Sequence, residues 1–225
     1  MRVDVPEEDA VNEAELKKKA RTVYARLARL HPDAHIELDF ENPLELLVAT
    51  VLSAQSTDVT VNKITKDLFK KYRTPRDYLD VPAEELEDDI RRSGFFRQKA
   101  KSIRCAMMAI LEKHGGQVPR TMEELVKLPG VGRKTANVLL GNAFGVPGLV
   151  TDTHVIRVSG RIGLTTNTDP VKIEADLCAL YPAKDWTQLS HTLIFHGRYT
   201  CHARKPDCPA CTITGLCDDY RERNG

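Results

Sequence analysis

Apolar residues recur along this chain at helical rather than strand spacing. Leu16, Ala20, Val23, Leu27 and Leu30 fall three or four apart over residues 14–30, and His31-Pro32 ends that run. Asn42-Pro43-x-Glu45 reads as a helix start, with an N-cap, a proline at N1 and an acid at N3, ahead of an apolar stretch to Ala54. Thr74-Pro75-x-Asp77 repeats the signal, and a helix opening near Pro82 is expected to stop at Gly94. Ala100, Ile103, Met107, Ile110 and Leu111 mark one face of a helix over 96–113, stopped by Gly115-Gly116. Thr121-x-x-Glu124 is a capping box for a helix over 122–128. Helices are also predicted at 59–71, 133–144, 153–162, 170–180 and 186–199, with Asp169-Pro170 and Asp185 starting the last two. No stretch sustains a period of two between hairpin turns. The pattern predicts an all-α protein of about ten short helices, without internal repeats.

Composition narrows the class. The longest apolar runs break within a few residues, far short of the roughly 20 needed to span a bilayer. The opening MRVDVPEEDA lacks the features of a signal or transit peptide. No membrane role and a cytoplasmic location, nucleoid-associated in a bacterium, are the expectation. Six cysteines in 225 residues are too few for a disulfide scaffold, and four of them crowd between Cys201 and Cys217. The net charge of +1 hides an asymmetry: residues 1–15 carry −5 and the rest +6. That acidic start is expected to be disordered. Six acids between Asp80 and Asp89 precede Arg91, Arg92, Arg97, Lys99, Lys101 and Arg104. A neutral chain binds nucleic acid when such charge is focused on one face.

The strongest local signal is LVKLPGVGRKTANVLL. Gly130 and Gly132 flank Val131, which lets the backbone turn tightly and approach a ligand, while Val131 plugs back between two helices. The second helix opens near Arg133 with unpartnered amides at the positive end of its dipole, a ready site for phosphate. An ordinary helical connection also uses Pro-Gly. Arg133 and Lys134 tip the reading towards a helix-hairpin-helix that contacts the DNA backbone without reading sequence.

Cys201, Cys208, Cys211 and Cys217 are spaced C-x6-C-x2-C-x5-C. Four thiolates so close wrap one metal centre, zinc or iron–sulfur. The unequal gaps suit a larger cubane better than two zinc knuckles. His202, Arg204 and Lys205 lie in the first gap, where a pinned loop would present them to phosphates. Cys105 and Cys178 read as buried core thiols.

LPGVGRKTANVLL, Val150-Thr151-Asp152-Thr153-His154-Val155, HGRYTC, the 6-2-5 cysteine spacing and LSAQSTD at 52–58 together resemble the endonuclease III family, over nearly the whole chain from about residue 14 to Cys217. The resemblance implies a helix-hairpin-helix DNA glycosylase and abasic-site lyase acting on oxidised pyrimidines in base excision repair. It implies a [4Fe-4S] cluster held by the four cysteines. It further implies a six-helix domain over 36–146, an iron–sulfur cluster domain made of 14–35 with 147–225, and a DNA-binding cleft between the domains; the acidic tail over 1–13, read from composition, lies outside both. The partner would be duplex DNA carrying damaged pyrimidines or abasic sites, and the protein a monomer.

The same resemblance implies roles for single residues. Lys134 is the amine that forms a Schiff base at C1′. A helix N-terminus disfavours the ammonium, and burial would add to that. Asp152 is read both as a helix N-cap and as the carboxylate that stabilises positive charge on the sugar. Gln55 is a wedge filling the hole left by a flipped base. His154 is either a buried structural histidine or a DNA phosphate contact, while Gly130, Gly132, Arg133, Arg204 and Lys205 are DNA contacts read from the residues themselves. Where the family usually has Gly, an aliphatic residue and Tyr, this chain has Gly94-Phe95-Phe96, so Phe95 and Phe96 compete for entry to the duplex. Two other classes stay open. A monofunctional mismatch glycosylase lacks the lysine and carries a further domain, whereas here Lys134 is present and the sequence ends eight residues past Cys217. A non-catalytic DNA-binding module has no use for Lys134 and Asp152 together.

Overall fold

Side-chain caps start five of the described α-helices, at Asn42, Thr57, Thr121, Asp152 and Asp169. In the computed structural model residues 7–225 are described, with side chains from Glu13 onward, and no strand occurs among them. Twelve α-helices are described: α1 Glu7–Leu30, α2 Pro43–Ser53, α3 Asp58–Lys71, α4 Asp77–Asp80, α5 Ala83–Asp89, α6 Phe96–His114, α7 Met122–Leu125, α8 Arg133–Ala143, α9 Thr153–Ile162, α10 Pro170–Leu180, α11 Trp186–Tyr199 and α12 Asp218–Asn224. Asn42 Oδ1 accepts from the Glu45 amide at 3.0 Å, and Thr121 Oγ1 from that of Glu124 at 3.3 Å.

Several elements depart from the sequence expectation. Helix α1 reaches back to Glu7, because residues 7–30 contain neither glycine nor proline. The disordered tail expected over 1–13 is therefore helical from residue 7, and residues 1–6 lie outside the described part. The helix expected from Pro82 to Gly94 ends at Asp89, where acids face the negative end of its dipole, and a 3-10 turn (Arg91–Ser93) replaces the rest. Helix α7 is a single turn instead of 122–128, since Pro129 bars Leu128 from helical geometry. Asp185 makes no cap bond; it closes a 3-10 turn, Ala183–Asp185, that runs straight into α11. Cys105 and Cys178 are half-buried rather than buried.

The chain forms two compact units. Ile36–Val146 is one. Within it α2 packs on α3, α6 and α8, and α6 also meets α4 and α5. The other combines the N-terminal helix, through His35, with Pro147–Gly225. Its core joins Val23 and Leu27 of α1 to Val155 and Val158 of α9, Leu177 of α10, and Leu189 and Leu193 of α11, all fully buried. Helix α9 lies close along α11: a Cβ at Gly197 would sit 2.8 Å from His154 Cβ.

Candidate active site

In the unit Ile36–Val146 the hairpin between α7 and α8 is built around Val131, which is buried and whose amide donates to Leu128 O at 3.0 Å. Gly130 has φ +79°, and a Cβ there would come within 2.8 Å of Ser102 Cβ on α6. Gly132 has φ −91° and serves as the N-cap of α8, with nothing near its missing Cβ. The two glycines thus do different things. Gly130 lets the hairpin close onto α6, and Gly132 keeps the outer face open to a ligand. Arg133 and Lys134 occupy the first turn of α8 and are exposed. The burial expected of Lys134 is not supplied by this chain alone.

Three residues other than glycine adopt positive φ among the described residues: Gln55 at 54°, Phe95 at 47° and Lys205 at 52°. Such backbone is costly and persists where surrounding structure enforces it, often at ligand-contacting sites. Each of the three belongs to the DNA-contact set read from the sequence. Gln55 lies just past the C-terminus of α2 and is exposed. Phe95, at the start of α6, is 68% exposed, while Phe96 is half-buried with the guanidiniums of Arg91 and Arg97 over its ring, 4.8 and 5.6 Å from its centroid. Of the two phenylalanines, Phe95 is therefore the one that faces solvent.

In the other unit Asp152 caps α9: its Oδ1 accepts from the amides of His154 at 2.8 Å and Val155 at 2.9 Å. One carboxylate oxygen thus fixes the side chain, and the second remains for chemistry. His154 is half-buried, with Nδ1 3.2 Å from Arg157 Nη2. Arg157 also donates to Gly197 O and Cys201 O, and Arg161 to His202 O at 2.7 Å, Ala203 O at 2.9 Å and Cys201 Sγ at 3.3 Å. These two arginines, one turn apart on α9, hold the start of the cysteine loop. Sequence reading passed over them, although their i, i+4 spacing behind a capped helix start was visible. Arg204 and Lys205 are exposed on that loop.

Cys201, Cys208, Cys211 and Cys217 line one small cavity with Ile162, His196 and Ile213. Burial first, and then the neighbouring sulfurs, push the Cys211 thiol up; burial, Asp219 and the other sulfurs do the same at Cys217. Four thiols lining one cavity are the soft donor set that a thiolate-bound metal centre takes. Among the described residues no three His, Cys, Asp or Glu side chains converge as the ligands of a single ion. A separate broad groove, lined by Leu38, Phe40, Asn62 and Phe69, holds none of the residues read from the sequence as catalytic, DNA-contacting or metal-binding.

Residues 48–183 match the HhH-GPD superfamily of base excision DNA repair proteins. Endonuclease III of Bacillus subtilis (strain 168) is 50% identical over 200 residues, covering 88% of this chain and 91% of that one. The chain belongs to the endonuclease III family. Endonuclease III of Escherichia coli (strain K12) is 42% identical over 207 residues, 92% of this chain and 98% of the relative. A solved trapped endonuclease III–DNA covalent intermediate superposes with a TM-score of 0.89 at 49% identity, covering 92% of this chain and 98% of that one. A thermostable thymine-DNA glycosylase shares the fold, with a TM-score of 0.84 at 24% identity. As a member of the endonuclease III family this chain is a DNA glycosylase and abasic-site lyase of base excision repair. No described helix is long and apolar enough to cross a membrane.

Proposed function

We propose that this chain, acting as a monomer in the cytoplasm, excises oxidised pyrimidines from duplex DNA and cleaves the strand at the resulting abasic site, with Lys134 as nucleophile. The observation that carries the reading is the setting of Lys134: an exposed amine at the second residue of α8, directly after a hairpin whose outer face is open at Gly132. Phosphate held by that hairpin and by Arg133 would bring the neighbouring sugar to the amine. Lys134 Nζ attacks C1′, the bond to the base breaks with its electron pair leaving on the base, and a Schiff base forms as the sugar ring opens. Loss of a C2′ proton then expels the 3′ phosphate. Bound DNA supplies the desolvation that favours the free amine. Asp152 offers its second oxygen to the positive charge that develops on the sugar. Gln55 fills the space left by the extruded base, and Phe95 supports the opposite strand. His154, Arg204 and Lys205 contact phosphates. Cys201, Cys208, Cys211 and Cys217 would hold a [4Fe-4S] cluster, whose iron–sulfur bonds pin the loop that carries Arg204 and Lys205.

Borohydride trapping on a duplex with one oxidised pyrimidine tests this. Wild-type protein is expected to form a permanent adduct through Lys134. Lys134→Gln should abolish trapping and strand cleavage while leaving lesion binding. Asp152→Asn, which keeps the cap, should slow base excision by roughly 10²-fold or more. Mass mapping to another residue would refute the assignment, and excision without an adduct would indicate a monofunctional glycosylase.

A further inference from the structure

We propose that Lys99 is a positioning residue that ties the loop carrying Gln55 to the loop carrying Phe95, so that both enter the duplex as one unit; the proposal rests on the glycosylase activity and on the DNA-contacting roles of those two residues. Lys99 lies on α6 and is only 5% exposed, an unusual place for an ammonium. Its Nζ donates to Leu52 O at 2.7 Å and to Ser93 O at 2.7 Å. Leu52 belongs to the last turn of α2, whose carbonyls have no partners within the helix. Ser93 ends the 3-10 turn before α6. One cation therefore closes the ends of two elements, where carbonyl dipoles favour it.

The residues just downstream of the two carbonyls give the bridge its meaning. Gln55 stands three residues beyond Leu52 and Phe95 two beyond Ser93. Both are exposed, and both are held at positive φ, a backbone that relaxes unless its flanks are fixed. Lys99 fixes both flanks from a single atom. Burial lowers its affinity for a proton, yet the two carbonyls leave the charged form the better donor. A neutral side chain there would leave two buried carbonyls without partners, and each loop would be free to relax independently of the other.

A double-mutant cycle with a DNA-free readout tests the role. In single-turnover reactions on a thymine glycol duplex, Lys99→Met should slow excision by roughly 10²-fold, the loss expected when a contacting group shifts by about 1 Å. Cleavage of a preformed abasic site, which needs no extrusion, should fall far less. Gln55→Ala should add little once Lys99 is gone, because both changes act through one insertion. Lys99→Arg, which keeps the charge and several donors, should restore part of the rate. Without DNA, hydrogen exchange at 54–57 and 93–96 should speed up together in Lys99→Met while α8 stays protected. Additive losses, equal losses on both substrates, or faster exchange throughout 36–146 would each mean a merely structural lysine and overturn the proposal. A wild-type chain that excises nothing would overturn the activity it rests on and the positioning role with it, and that failure would show in the parent protein rather than in the variants.

Discussion

Gly130 shows how much one absent methyl group can decide. Its φ of +79° already disfavours a side chain, and Ser102 Cβ waits 2.8 Å from where a Cβ would go. Gly130→Ala is expected to destabilise the protein by about 1–3 kcal/mol. Gly132→Ala, with ordinary φ and open space, should cost under about 1 kcal/mol. Denaturant unfolding of both variants checks this, and equal losses would remove the distinction between the glycines. Adding Ser102→Gly to Gly130→Ala should recover only the part owed to the clash, since the backbone strain remains. The PGVG motif was legible in the sequence. The division of labour inside it was not, because Ser102 lies 28 positions away and only packing brings the two together.

At the scale of elements, caps with a side-chain oxygen were the readable feature. Asn42, Thr121, Asp152 and Asp169 all accept the amide bonds that their positions suggested. Asp185 failed because the chain reaches it already helical, leaving no free amide for it to bond. Burial along a helix was less readable, and α11 illustrates its consequence. Its His191 is buried, which lowers its pKa from 6.5 to about 4, with His35 adding to the effect. The folded protein holds this ring neutral while the unfolded chain protonates it. The stability present above pH 6.5 is thus lost progressively as pH falls towards 4, by up to about 3 kcal/mol. Melting curves of wild type and His191→Gln should converge or cross over that window. A constant offset between them would mean the ring does not titrate as its burial requires.

For the whole molecule, the motifs were legible because each is short-ranged, whereas the links between them were not. The basic run from Arg91 to Arg104 looked like one DNA-facing patch. In the structure Lys99 turns inward, Arg104 donates to Tyr78 O and Val81 O, and Arg91 pairs with Asp88. Lys99 and Arg104 thus turn into the fold while Arg91, Arg92, Arg97 and Lys101 stay exposed, a division that composition alone does not reveal. The four cysteines of the 6-2-5 spacing line one cavity. Purified holoprotein is expected to be yellow-brown with iron and sulfide near four each per chain, about the content of one cubane. Stoichiometric zinc with no visible band would replace the cluster with a different metal centre.

The brevity of helix α7 bears on what holds it in place. An isolated helix shorter than about 12 residues is marginal in water, and α7 has four. Its shape therefore rests on packing against α8 and on the hairpin that Gly130 closes onto α6. A helix so short borrows its order from its neighbours, so damage to α6 or α8 reaches the hairpin as well.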